Sequence, residues 1–141
     1  MIFWDTSALL RCYEGNQASH GRAKNLLLRE RGHCGSALLR IEAVSGIRRR
    51  FGRDRAMLAS LLKTMSGHVD HFDLQTVDAT VLERGIALVE RHALRAADAI
   101  HLASAVLLSR DLGRRQVRFA TADRDQAKAA STEGLKIIGL E

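Results

Sequence analysis

The sequence predicts an α/β fold of three layers, in which a mostly parallel sheet of four to five short strands lies between about seven helices. Two observations predict it. Short runs of β-branched and aromatic residues alternate with longer helical stretches, as in parallel sheets that are covered on both faces. The 141 residues contain no proline and are 46% hydrophobic, so long helices and a buried core are both expected.

Each predicted strand is a short apolar run next to turn residues. The first is Ile2-Phe3-Trp4, which ends abruptly at Asp5. The run HCGSALL provides only a short strand, because Gly35 leaves two or three residues able to pair. The predicted strands cover residues 2–5, 33–35, 71–75, 117–121 and 136–140.

The predicted helices are rich in Ala, Leu and Arg. Gly46 and Gly85 fall within helical patterns, where each costs about 1 kcal/mol relative to Ala. The segment 48–66 is expected to be a helical excursion from the sheet, with Asp54 as the N-cap of its second helix. The helices are predicted over 7–13, 18–31, 37–51, 54–66, 78–92, 96–111 and 124–131. Because no repeat or linker interrupts the pattern, we expect one domain over residues 1–141.

The overall charge favours a polyanionic partner. The chain has 22 Lys and Arg against 16 Asp and Glu, which gives a net charge of +6. Aromatic residues make up only 4%, which argues against a platform that stacks bases. Cys12 and Cys34 lack the spacing of a zinc site and are expected to be reduced thiols. No apolar run reaches membrane-spanning length and no signal peptide is recognisable, so a cytoplasmic location is expected.

Two acidic residues directly follow strands. Asp5 ends the first strand, and Asp123 comes soon after the strand at 117–121. Either could simply cap the following helix. However, the carboxyl ends of parallel strands and the helices that follow them meet at one edge of a sheet, where open α/β folds build their sites.

Two further acids lie within apolar helices. Glu42 is surrounded by Leu and Ile in RIEAVSGI, and Asp98 lies in ALRAADAIHLASAVLL. Glu42 could lie on a solvated polar stripe, but the face that it shares with Leu39 and Gly46 is too apolar for one. Asp98 could simply cap its helix, but an unpaired buried carboxylate is costly, so both acids are expected to face a site. Two carboxylates about 5 Å apart repel by roughly 3 kcal/mol at an effective dielectric constant of 20, and a cation would relieve this repulsion. Oxygen ligands select Mg²⁺ or Mn²⁺, and with a basic surface they indicate phosphodiester hydrolysis.

Four segments carry a family resemblance. DTSALL at Asp5, LLRIEAVSGIRR at Glu42, LRAADAIHLASA at Asp98 and FATADRDQAKAA at Asp123 resemble, in order and spacing, the motifs of PIN-domain ribonucleases. Within that group the chain is most similar to VapC-type toxins. The resemblance implies a PIN-like fold, a metal-dependent endoribonuclease acting on RNA, a homodimer, and a small VapB-type antitoxin whose C-terminal segment enters the toxin's groove.

The resemblance also implies residue roles. Asp5, Glu42, Asp98 and Asp123 match the four acidic positions that hold Mg²⁺ or Mn²⁺ and carry the catalysis. Thr6 matches a polar residue that supports the first Asp, and Thr121 matches the small hydroxyl residue before the fourth. Asp125 is either an outer ligand or a helix cap. His101 is either a general base or a packed residue that donates to a neighbour.

Two arginine runs have two readings each. Arg48, Arg49 and Arg50, with Arg53 and Arg55 beyond them, either form a solvated helix end or contact the RNA backbone or antitoxin acids. The second run has the same two readings; it comprises Arg110, Arg114, Arg115 and Arg118.

Two other functions remain as alternatives. A phosphatase or phosphotransfer domain on a similar sheet would carry a second Asp in DTS or adjacent acids and a late Lys, and the sequence has neither. A non-catalytic PIN-like module that only binds RNA would be expected to have replaced one of the four acids, and all four are present.

Overall fold

The computed structural model describes residues 1–113 and 116–141, which form five strands and seven helices in the predicted alternation. The strands are β1 (Ile2–Trp4), β2 (His33–Ser36), β3 (Asp73–Gln75), β4 (Arg118–Thr121) and β5 (Lys136–Gly139). The helices are α1 (Thr6–Arg11), α2 (His20–Arg29), α3 (Leu39–Phe51), α4 (Arg55–Val69), α5 (Ala79–Arg91), α6 (Ala96–Leu112) and α7 (Arg124–Thr132).

The sheet has the strand order β3-β2-β1-β4-β5, and its described pairings are all parallel. Strand β1 is central, and its Phe3 pairs with Cys34 of β2 on one side and with Phe119 of β4 on the other. The first strand of the chain therefore depends on a neighbour near the end of the chain.

Helices cover both faces of the sheet, which confirms the three-layer α/β fold. Side chains alternate between the faces of a strand, so Ile2 and Trp4 pack with α1 to α4 while Phe3 packs with α5 to α7. All three side chains are fully buried. The rings of Phe3 and Phe119 stack with centroids 5.9 Å apart in the second of these cores.

Two glycines permit close packing next to the sheet. At Gly35 in β2 a Cβ atom would lie 2.7 Å from Leu39 Cδ2, so the missing side chain lets Leu39 pack against the strand. At Gly46 in α3 a Cβ atom would lie 2.6 Å from Leu10 Cδ1 of α1. The sequence pattern counted both glycines as weaknesses of their elements, whereas each makes room for a buried leucine.

Several predicted boundaries were wrong by one to three residues. The α4 helix continues to Val69, and α2 is shorter at both ends than predicted. The predicted N-cap Asp54 is confirmed, since its side chain accepts a hydrogen bond from the Met57 amide. Arg118 lies in β4, within the predicted strand 117–121, and pairs with Glu30.

Both cysteines are buried and free, as predicted. Burial raises the pKa of each thiol to about 12, so neither forms a thiolate at neutral pH. Within the described ranges, no helix is long and apolar enough to cross a membrane.

Candidate active site

A cavity of about 460 Å³ opens at the carboxyl edge of the sheet, where β1 and β4 end side by side. The Asp5 amide donates to the Ala120 carbonyl at 2.9 Å, which joins the two strand ends. The charged residues that line the cavity are Glu42, Arg49, Arg95, Asp98, Asp123 and Asp125. Three of the four predicted acids thus face a common space, and the fourth, Asp5, lies behind it.

Asp5 is buried, with 2% of its surface exposed, and both of its oxygens are held. Oδ2 accepts from the Ser7 amide at 2.9 Å and from the Ser7 hydroxyl, so Asp5 does cap α1. Oδ1 accepts from Gln126 Nε2 at 3.0 Å. The carboxylate of Asp5 therefore caps α1 through one oxygen and joins the site through the other.

Gln126 connects the elements of the site. It is fully buried, and its amide nitrogen reaches Asp5 Oδ1 and the Asp98 carbonyl. Thr121 donates its hydroxyl to Gln126 Oε1 at 2.6 Å, which fixes the orientation of the amide. Thr121 thus acts on the site through Gln126, and β4, α6 and α7 are tied to the end of β1.

Glu42 is held by two donors on the same oxygen. Thr6 donates its hydroxyl to Glu42 Oε2 at 2.7 Å, and His101 contacts that oxygen through Nε2. Thr6 was predicted to support Asp5, and this was wrong: Ser7 supports Asp5, because the helix turn directs the Thr6 side chain towards α3. Among the described residues, no such donor contacts the other oxygen of Glu42, Oε1.

His101 is buried in α6, with 1% of its surface exposed. Burial opposes its protonation, but the hydrogen bond to Glu42 and the charges of Asp5, Glu42 and Asp98 outweigh burial, so the pKa of His101 is raised. Burial likewise opposes ionisation of Glu42, yet His101, Thr6 and the nearby Arg49 charge lower the pKa of Glu42. The packed, donating reading of His101 is the one that the geometry supports.

The pKa of Asp98 depends on the charges of the other acids of the site. Its pKa is raised from 3.8 to about 6, first by burial and then by the charges of Asp5 and Asp123. Glu42 adds to the increase and His101 partly offsets it. All four predicted acids therefore share one electrostatic field.

The two acids at the start of α7 differ in role. Asp123 is the N-cap, since its Oδ1 accepts from the Gln126 amide at 2.8 Å. Asp125 lies in the first turn, exposed, and lines the cavity. The reading of Asp125 as the cap was wrong, because Asp123 already occupies that position.

The structure separates the arginines that the sequence grouped together. Arg49 lines the cavity, whereas Arg50 pairs with the buried Glu14 beside a different pocket. Arg48 is exposed and is not among the residues that line the cavity. In the second run Arg110 is exposed, and Arg114 and Arg115 lie outside the described residues.

The donor set fits a hard divalent cation such as Mg²⁺ or Mn²⁺. The four acids that line the cavity offer only oxygen atoms. Burial first, and then the negative charge of neighbouring acids, raises the pKa of Asp98, and a cation would neutralise that charge. As placed, no three His, Cys, Asp or Glu side chains in residues 1–113 and 116–141 converge closely enough to hold one ion. This spacing is compatible with Mg²⁺, which keeps several water ligands and often uses only one or two carboxylates.

Three residues of the site were missed by sequence reasoning: Ser7, Arg95 and Gln126. Gln126 could have been found, because Asp123 and Gln126 have the spacing of an N-cap and its third helical residue. Ser7 could have been found as a hydroxyl two residues after a capping Asp. Arg95 had no such signal, since its place in the cavity depends on how α6 packs.

Solved structures share this fold. A chain of a toxin–antitoxin complex from Klebsiella pneumoniae is 17% identical with a TM-score of 0.66, covering 100% of this chain and 98% of that chain. VapC20 of Mycobacterium tuberculosis, described as a toxin that cleaves the sarcin–ricin loop, is 24% identical with a TM-score of 0.67, covering 92% and 95%. VapBC2 of Rickettsia felis, bound to a promoter DNA fragment, is 11% identical with a TM-score of 0.61, covering 100% of both chains.

At these identities the structural likeness shows a common fold. No curated protein sequence matches the chain. The sequence does match the PIN domain family over residues 2–131, which include all four acids and every helix except the last residue of α7. The chain therefore belongs to the PIN domain family.

Proposed function

We propose that this protein is an endoribonuclease that depends on Mg²⁺ or Mn²⁺ and serves as the toxin of a toxin–antitoxin pair. The observation that supports it most is the cavity at the sheet edge, where Glu42, Asp98 and Asp123 face one space and Asp98 is hard to ionise beside its neighbours. Such a site attracts a divalent cation, and the +6 charge of the chain attracts RNA.

The residues of the site have different proposed roles in binding the ion and in positioning its ligands. Of the carboxylates Glu42, Asp98 and Asp123, one or two would bind the ion directly, and the others would contact its water ligands. When bound, the ion would supply positive charge to the phosphate oxygens and acidify the attacking water. Asp5 maintains negative charge behind the cavity, and Gln126 keeps Asp5 in place. Because each acid sits on a different element, correct packing of β1, α3, α6 and α7 is a condition for activity.

RNA cleavage by the purified protein tests this proposal. We expect cleavage with added Mg²⁺ or Mn²⁺ that stops with EDTA, and at least a 100-fold loss of rate in Asp98→Asn or Asp123→Asn. Asp111→Asn is the matched control, since it changes an exposed acid at the far end of α6. Full-rate cleavage in excess EDTA by wild type, and by the acid variants, would contradict the metal-dependent mechanism.

The partner is proposed to be a VapB-type antitoxin that sends a cationic side chain into the cavity. An arginine suits this role, because its planar guanidinium binds carboxylates through two parallel hydrogen bonds. Inhibition should then compete with the metal, so rising Mn²⁺ should weaken the complex.

A growth test checks the toxin assignment. Expression of the chain alone should arrest growth. A small protein encoded beside it should relieve the arrest when both are expressed, and the two proteins should copurify. A harmless chain without such a partner would contradict the toxin assignment and leave the nuclease assignment intact.

We also propose that the protein is a homodimer. An apolar groove of about 420 Å³ runs between α5 and α6, and exposed apolar side chains border it on α5. Leu82, Ile86 and Val89 are 46%, 62% and 45% exposed, which is unusual for large apolar side chains on one helix face. Sedimentation should give a dimer that Ile86→Glu converts to a monomer, with Leu28→Glu as an exposed apolar control on α2. A monomeric wild type would contradict this assignment.

A further inference from the structure

Two arginines lie among the carboxylates of the cavity. Arg49 comes from the C-terminal half of α3, and Arg95 occupies the N-cap position of α6. Both are exposed, so their guanidinium groups are accessible from solvent. The two residues stand on separate helices, and the acids Glu42, Asp98, Asp123 and Asp125 line the same space.

The charge of Arg49 lowers the pKa of Glu42, but among the described residues neither arginine forms an ion pair with an acid of the cavity. In the described part of the chain, no carboxylate lies within ion-pair distance of Arg49 or Arg95. Other arginines of the protein do find such partners: Arg50 pairs with Glu14, Arg84 with Glu133, and Arg118 with Glu30. Within the described residues the guanidinium groups of the two cavity arginines therefore have no carboxylate partner, and they can bind a ligand.

An acidic cavity alone would repel a polyanion. The +6 charge of the chain draws RNA towards the protein but does not orient it, because most of that charge is distributed over the surface. A guanidinium can bind two phosphate oxygens at once, which fixes both the position and the orientation of the backbone. Two such groups at the cavity would hold the strand while the acids act on one bond.

We infer that Arg49 and Arg95 form a phosphate-binding subsite that holds backbone phosphates next to the cleaved one. The inference rests on the proposed function, since it takes RNA as the substrate. It also distinguishes between neighbouring residues that the sequence could not separate. Arg49 binds RNA, whereas Arg48 does not contribute to the subsite and Arg50 remains with Glu14.

Binding of a fluorescent single-stranded RNA, measured by anisotropy in EDTA at several salt concentrations, tests this subsite. EDTA separates binding from cleavage, and a gel of the recovered RNA verifies that it is intact. Arg49→Ala and Arg95→Ala should each weaken binding by roughly 5- to 10-fold and reduce the slope of log affinity against log salt by about 0.7 to 1. Arg95→Lys should restore most of the slope, because it keeps the charge, but only part of the affinity.

Arg48→Ala is the matched control, since it removes an exposed arginine adjacent to Arg49 but outside the cavity. It should change the slope by much less. In cleavage assays Arg95→Ala should raise KM while kcat stays within about 2-fold, as expected when ground-state and transition-state binding are lost equally.

The outcomes separate the two proposals. Equal slopes for Arg48→Ala, Arg49→Ala and Arg95→Ala would overturn the subsite, and so would a wild-type protein that does not bind RNA. If the slopes differ as expected but no metal supports cleavage, the subsite stands and the nuclease assignment fails. Melting temperatures of the variants should match wild type, because both side chains are exposed.

Discussion

At the scale of single residues, the contact between His101 and Glu42 gives the site a positioning group. His101 and Thr6 both hold Glu42 Oε2, which leaves Oε1 to act in the cavity. His101→Leu removes one of these donors and should lower kcat by about 10-fold or more with little change in KM. His101→Gln retains an N–H donor and should recover part of the loss.

A double-mutant cycle checks whether His101 acts through Glu42. If it does, His101→Leu should cost little further activity in a Glu42→Gln background, because the group that it positions has already been changed. Additive losses in the two variants would show that His101 contributes independently of Glu42. Melting curves of all variants provide the control for general damage to the core.

The raised pKa of Asp98 predicts a pH-dependent stability in metal-free protein. Its pKa of about 6 lies above the ordinary 3.8, so the folded state holds the proton more tightly than the unfolded chain does. Ionisation of Asp98 therefore destabilises the fold as pH rises through this range, and this penalty is absent below about pH 4.

Asp98→Asn should accordingly raise the melting temperature in EDTA at pH 7.5. Solvent screening reduces the effect at this half-buried position to about 1 kcal/mol, or about 3 °C. The difference from wild type should shrink as pH falls through 6 and vanish near pH 4. A difference that is constant from pH 4 to 8 would contradict the cost of ionising Asp98 as its cause, and Asp111→Asn serves as the control.

Sequence patterns located the acids but not their partners. Asp5 and Asp123 could be found because each follows a strand, and Asp98 because it interrupts an apolar helix. The hydrogen bond from Gln126 to Asp5 joins residues 121 positions apart, and that from Thr6 to Glu42 spans 36 positions. Local patterns hold no information about such contacts, which explains why Thr6 was assigned to the wrong acid.

At the scale of helices and strands, Gly85 and Gly46 differ in the space that a side chain would have. A Cβ atom at Gly85 of α5 would lie 3.9 Å from the Ala99 backbone, an ordinary contact. Gly85→Ala should therefore stabilise the protein by about 0.5–1 kcal/mol through helix propensity. Gly46→Ala should destabilise it by about 1–3 kcal/mol, because the new methyl group would meet both Leu10 methyl groups in the core.

Urea denaturation of the two variants measures both effects. Gly46→Ala should also reduce RNA cleavage, since α1 and α3 must approach closely for Thr6 to reach Glu42. A Gly46→Ala protein that is as stable and as active as wild type would show that Leu10 can move without cost.

Element types were predictable and element ends were not. All seven helices and five strands occur where apolar periodicity placed them, because period and length distinguish the two structures over most segments. The ends depend on tertiary packing. The β2 strand includes Ser36 because β3 pairs with it there, through Gln75, and no local signal indicates that pairing.

At the scale of the whole molecule, the shared field of the acids predicts that metal binding stabilises the fold. A ligand that binds only the folded state raises its stability by RT ln(1 + [L]/Kd), about 2.7 kcal/mol at 100 times Kd. Millimolar Mn²⁺ should thus raise the melting temperature by several degrees, and Asp98→Asn should reduce that increase. No change in melting of the wild-type protein would contradict a shared metal site.

The strand order has a consequence for synthesis on the ribosome. Strand β1 leaves the ribosome before its neighbour β4 and before the helix that carries Gln126. A nascent chain that ends near residue 110 already contains Asp5, Glu42 and Asp98, yet it cannot complete the sheet or fix Asp5. Folding must wait for these distant segments, as in other chains dominated by non-local pairing. The proposed nuclease site therefore cannot be assembled until α7 has been synthesised, although three of its four acids are made earlier.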